Sequence, residues 1–180
     1  MSTSASDSAT GLGWSQAARW RVVDIVVTAV IAVAFGVVFW AWNQLWEAAK
    51  PAFTAFPPAQ AFMYGVWLVP AVLAPLVIRR PGAGIFAELV ASLVTVLFGN
   101  PWGGILLLYG VVQGAAGEVA FAATRYRRWN LPLAVVAGAL AGLAASGLDL
   151  YNYYRDWALT WQLTFVALVV VSSAAVAGLG

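Results

Sequence analysis

The chain has 180 residues, enough for one domain of ordinary size. Apolar residues make up 63% and charged residues 9%, where a soluble domain carries about 25%. Nine basic and seven acidic side chains are too few to coat a water-soluble globule of this length, so an all-α integral membrane protein is expected. The absence of cysteine excludes disulfides, thiol nucleophiles and thiolate metal sites. The absence of histidine excludes imidazole zinc sites and serine–histidine catalysis, and leaves open only a carboxylate metal site.

The first 13 residues are small and polar and are expected to form a disordered cytoplasmic tail, with residues 14–180 as one transmembrane domain. The first apolar run lacks a convincing cleavage motif and is expected to stay as a helix. Six spans are predicted, at about 21–46, 61–78, 83–98, 102–123, 132–152 and 158–179. Pro51, Pro57 and Pro58 end the first; Arg79-Arg80-Pro81-Gly82 follows the second; Gly99-Asn100-Pro101 turns between the third and fourth. Pro70 and Pro75 fall inside the second span, where a kink is expected. The runs are continuous rather than alternating, which disfavours a β-barrel.

Arginines set the predicted orientation. Arg19, Arg21, Arg79, Arg80, Arg125, Arg127 and Arg128 fall on one side, and Lys50 and Arg155 on the other. The positive-inside rule then gives both termini in the cytoplasm, N-in and C-in. The chain ends at Gly180 within apolar sequence, so a basic tail is expected to be missing. The opposite ends of the helices are rich in Trp and Tyr. An interfacial belt explains many of these, but 10 tryptophans exceed that need, so some are expected to line a pocket.

Intramembrane polar groups are costly and need a function or a partner. Trp102, Tyr109 and Gln113, at +7 and +4, share one face of the fourth span. Glu88 in the third and Glu118 in the fourth lie at similar predicted depth, either near ligand or tied to each other or to nearby arginines. Asp149 and Tyr153 point the same way at the aromatic end of the fifth span. Thr28, Ala32, Gly36, Trp40 and Asn43 share one stripe of the first, and its Thr28, Ala32, Gly36 part is a small-residue face expected to meet a partner subunit. No nucleotide-hydrolysing motif is present, so uphill transport would need a separate ATPase. A small cation channel or secondary transporter using the glutamates is the alternative. An intramembrane enzyme has little to work with.

The ordered motifs YG-x-W at Tyr64–Trp67, Arg-Arg-Pro-Gly-Ala at Arg79–Ala83, Glu88, GNP at Gly99–Pro101 and VQG…E…ATR at Val112–Arg125 resemble the YkoE family. Those are substrate-binding S components of energy-coupling-factor (ECF) vitamin importers. The likeness is good over about residues 20–130. It implies a six-helix S-component bundle in the cell membrane that takes thiamine or its hydroxymethylpyrimidine (HMP) precursor from outside. It also implies a membrane T component and two ABC-type ATPase subunits, with no cofactor and no nucleic acid. It adds Trp67, Asn100 and Glu118 to the candidate ligand contacts. The chemistry suits thiamine: a cation wants aromatic faces and a carboxylate, and an aminopyrimidine wants a paired donor and acceptor. The pocket is expected among spans four to six, closed by the loop after span one.

Overall fold

A computed structural model describes residues 19–179, and the predicted tail at residues 1–13 lies outside them. Among the described residues every regular element is helical. Helix α1 is Val22–Ala49, and its 28 residues reach about 42 Å, longer than the ~30 Å hydrocarbon core. A 3-10 turn, Lys50–Phe53, follows at Pro51. A 3-10 stretch, Pro57–Leu68, runs into helix α2, Val69–Ile78. Then come α3, Ala83–Phe98, and, after a short turn, α4, Leu106–Ala123. Helices α5, Leu131–Asn152, and α6, Leu159–Leu179, complete the bundle. Among the described residues, five helical spans are long and apolar enough to cross a membrane; α3 is apolar but shorter, at 16 residues.

The second span departs from the predicted kinked α-helix. Its first half is a 3-10 helix of 12 residues, far longer than such helices usually run. Proline acts at the junction with α2. Pro70 has no N–H to offer the Val66 carbonyl, and the Val69 N–H takes it instead. Ser172 of α6 stabilises the 3-10 part from outside. Its hydroxyl donates to the Phe62 carbonyl at 2.7 Å and accepts the Gly65 N–H at 3.0 Å. Only glycine fits there, because a Cβ on Gly65 would lie 2.4 Å from the Ser172 carbonyl oxygen.

The stripe Thr28, Ala32, Gly36 is buried within the bundle, not left for a partner. It packs on α3: Thr95 Oγ1 donates to the Gly36 carbonyl at 3.1 Å, and a Cβ on Gly36 would fall 2.5 Å from Val94 Cβ. The small residues serve close helix approach inside the chain. The same device recurs where α4 meets α3. There Gly110 faces Ser92 and the Glu88 carbonyl, and Gly114 faces Ile85.

At the arginine-rich end, Asp24 ties the start of α1 to the α2–α3 turn. It accepts the Arg21 N–H at 3.0 Å, closing the first turn of α1, and pairs with Arg80 of the α2–α3 turn at 3.1 Å. The Trp20 indole donates to the Pro81 carbonyl at 3.0 Å in the same turn.

Candidate functional site

At the other end, a cavity of about 280 Å³ opens between α1, the 3-10 stretch, α3, α4 and α5. Each wall follows from helical spacing. Phe39, Asn43 and Trp46 continue the buried stripe of α1. Tyr64 and Trp67 come from the 3-10 stretch, where a three-residue period puts both on one side. Trp102 comes from the turn before α4, Leu106, Tyr109 and Gln113 from the first half of α4, Asp149 from the end of α5, and Tyr153 and Tyr154 from just after it.

Trp67 is the hub of the aromatic wall. Its ring centroid lies 4.9 Å from Trp46, 5.2 Å from Tyr64 and 5.9 Å from Trp102. Its indole N–H donates to Asn43 Oδ1 at 2.9 Å. Opposite in character is Asp149, the one carboxylate among the described residues that lines the cavity. It is 5% exposed and accepts the Tyr109 hydroxyl at 2.7 Å; the Tyr64 hydroxyl is also directed at it. At the rim, burial and the nearby Asp149 raise the Tyr153 phenol above its ordinary range, so it stays protonated. The result is a half-closed aromatic cage with one carboxylate and two amides, Asn43 and Gln113. Such a cage suits a planar heterocycle, held by stacking and by edge-on hydrogen bonds. No group of three or more metal-ligating side chains occurs among the described residues.

Of the residues singled out in the sequence, Trp67, Trp102, Tyr109, Gln113, Asp149 and Tyr153 meet at this cavity. Glu88, Glu118 and Asn100 do not line it, and each has another task. Glu88, fully buried on α3, accepts the Ala71 N–H at 2.8 Å. That N–H belongs to the first turn of α2, where no intrahelical carbonyl can reach it. Glu118 does the same for α3: it accepts Gly84 N–H at 2.8 Å, Gly82 N–H at 3.0 Å and the Tyr126 hydroxyl at 2.7 Å. Each glutamate therefore satisfies a neighbouring helix start, rather than its fellow glutamate. Asn100 caps its own turn, its Oδ1 accepting the N–H groups of Trp102 and Gly103 at 2.8 and 2.7 Å.

The expected location also shifts. No residue of α6 is among the lining residues, and α1 and α3 take its place with Asn43, Trp46, Ser92 and Thr95. Asn43 and Trp46 lie +7 and +10 from Gly36, on the face already picked out by its small residues. Asn43 already stood on that stripe in the sequence, though not as a ligand contact, and following it three residues further would have found Trp46.

Fold and site together define a class: a helical membrane bundle with an aromatic-lined cavity at one end. The crystal structure of an S component of an ECF transporter has the same fold, with a TM-score of 0.84 and 33% identity, covering 89% of this chain and 81% of that one. Residues 23–144 match the family described as the ABC-type cobalt transport system, permease component. A relative from Bacillus subtilis (strain 168), provisionally named the HMP/thiamine permease protein YkoE, is 34% identical over 161 residues, 89% of this chain and 80% of its own. The chain belongs to that permease family, and within it to the YkoE-like S components of ECF transporters. It is a multi-pass membrane protein whose relatives are transporter components, not enzymes.

Proposed function

We propose that this S component captures thiamine or its HMP moiety from outside the cell and delivers it through an ECF complex. The single observation behind this reading is the composition of the cavity. Three tryptophans and four tyrosines surround one carboxylate and two amides. The aromatic faces and Asp149 suit the thiazolium cation, and the amides suit the edge of the aminopyrimidine. The name of the Bacillus subtilis relative points to the same ligands.

The cavity lies at the end of the bundle that carries Lys50 and Arg155, away from the seven arginines. With the positive-inside rule, that end faces outward, N-in and C-in, in the plasma membrane. The energy would come from a membrane T component and two ABC-type ATPase subunits, because this chain has no nucleotide-hydrolysing motif. No cofactor is required. The channel reading loses its basis, since Glu88 and Glu118 cap helices rather than line the cavity.

The test is native mass spectrometry of the protein purified from its own membranes, followed by calorimetric titration with thiamine and with HMP. Saturable binding of either supports the proposal, and binding of neither ends it.

A further inference from the structure

Asn43 stands apart from the other polar residues of α1. It is 1% exposed, it lines the cavity, and its Nδ2 has no hydrogen-bond partner among the described residues. A buried amide N–H of this kind costs free energy unless something accepts it. Its orientation is not free. The Trp67 indole is a donor only, so the amide atom facing it must be the oxygen. Trp67 thereby fixes Asn43 with its NH2 group turned away from the indole.

Gln113 also brings an amide donor to the cavity, but Asn43 Nδ2 is the buried donor there left without a partner among the described residues. Asp149 as a carboxylate only accepts, and the protons of Tyr109 and Trp67 are already committed to Asp149 and Asn43. A ring nitrogen with an in-plane lone pair needs a donor. Facing Asp149 it would meet only another acceptor.

We propose that Asn43 is a specificity-determining donor, whose amide N–H meets an in-plane acceptor nitrogen of the bound heterocycle, with Trp67 as the positioning residue that holds the amide in that orientation. This rests on the function proposed above and sharpens it. The ligand class becomes a planar heterocycle with an unprotonated ring nitrogen on the edge facing α1. Asp149 is left to read an amino group or a cationic ring.

The test pairs ligand and protein changes. Affinities of the parent, Asn43→Ala and Trp67→Phe are measured by calorimetry in detergent, for HMP and for its aminobenzyl alcohol analogue, in which both ring nitrogens are C–H. The parent should favour HMP over the analogue by about 10- to 100-fold, the worth of one hydrogen bond to an otherwise unpaired buried group. Asn43→Ala should lose most of that preference by weakening HMP about 10- to 100-fold while leaving the analogue within about 3-fold. Trp67→Phe keeps a ring but not the N–H, and should narrow the preference although Asn43 is intact. Equal weakening of both ligands by Asn43→Ala, or no weakening of either, overturns the assignment. If Asn43→Ala does not fold, Trp67→Phe decides: an unchanged preference overturns it. A parent that binds neither thiamine nor HMP overturns the proposed function and this assignment together. A parent that binds HMP, with a preference indifferent to both substitutions, overturns the assignment alone.

Discussion

Glu88 on α3 accepts the backbone N–H of Ala71 on α2 at 2.8 Å, across 17 positions of sequence. The cause is local to α2. Pro70 redirects the hydrogen-bond pattern, and the helix starts afresh inside the bundle, leaving first-turn N–H groups without carbonyls. Water would satisfy them in a soluble protein; here an intramembrane carboxylate does. A second unusual carbonyl lies nearby. Pro75 has no N–H for the Ala71 carbonyl, which instead packs against Gly84 and Gly117, where Cβ atoms would lie 2.8 and 3.1 Å away. Acid, proline and glycines together make a broken helix tolerable in lipid.

Glu88→Ala should therefore destabilise the fold by roughly 1–3 kcal/mol, the cost of a buried unsatisfied N–H, with more for the space left behind. Glu88→Gln keeps an acceptor and should lose less. Neither should change the ligand affinity of folded protein beyond about 3-fold. Thermal unfolding and titration with thiamine check both halves. A Glu88→Gln variant that is stable yet fails to bind would put Glu88 back among the ligand contacts.

Glu118 and Tyr126 make a second measurable pair, at 2.7 Å. Burial, and then the hydrogen bond to Glu118, hold the Tyr126 phenol above its ordinary range. A raised phenol stabilises the fold at all pH values below the unfolded pKa of about 10, and the contribution fades as pH climbs through the higher folded value. Tyr126→Phe should cost about 1 kcal/mol at neutral pH and lose less further stability above about pH 10 than the parent does. A double-mutant cycle with Glu118→Gln should give a coupling of about 0.5–3 kcal/mol. A coupling of zero would show that the bond contributes nothing.

Gly36 offers a direct test of what the small stripe does. A Cβ there would press on Val94 at 2.5 Å, so Gly36→Leu overpacks the α1–α3 contact. The isolated subunit should lose roughly 1–3 kcal/mol and unfold at a lower temperature. Normal stability combined with failure to assemble with other transporter subunits would restore the stripe as a partner face.

Parts of this architecture were legible in the residues alone. Gly99-Asn100-Pro101 marked a turn, and Asn100 makes it by accepting two N–H groups. The α4 face of Tyr109 and Gln113 was visible because helical spacing is fixed, and it reaches the cavity; Trp102 joins it from the turn before the helix instead of along that face. What spacing cannot give is the neighbour. Thr28, Ala32 and Gly36 are a close-approach face in any reading, but only the fold shows that α3 fills it. Glu88 and Glu118 were conspicuous as intramembrane acids, yet their partners are backbone N–H groups, which carry no sequence signal beyond a nearby proline or glycine. The 3-10 stretch was hidden for a related reason. It depends on Ser172, whose contact with Gly65 spans 107 positions.

Orientation can be checked without removing any native thiol, since the chain has no cysteine. Asn130 lies in the arginine-rich turn before α5, and Asp156 in the turn after it; both are exposed. In intact cells, Asp156→Cys should react with an impermeant maleimide, while Asn130→Cys should react only after permeabilisation. The reverse pattern would place the cavity on the cytoplasmic side and contradict uptake from outside.

Asp149 separates the two proposed ligands by charge. It is buried, and Tyr109 holds it through one oxygen, with Tyr64 also directed at it. Thiamine carries a permanent positive charge and HMP does not. In a cavity of low polarity, a carboxylate attracts the cation far more strongly than it would in water. Asp149→Asn keeps the size and the acceptor oxygen for Tyr109 but removes the charge. Thiamine affinity should fall by about 10- to 150-fold, in the range of a lost hydrogen bond to a charged group, and HMP affinity by under about 5-fold. Tyr109→Phe should act more weakly on both, because it frees an oxygen of Asp149 without removing the charge. Titration of the three proteins with each ligand gives the answer. Equal loss for thiamine and HMP would mean that Asp149 binds the amino group of the pyrimidine, and the cation would then rest on the tryptophan faces alone.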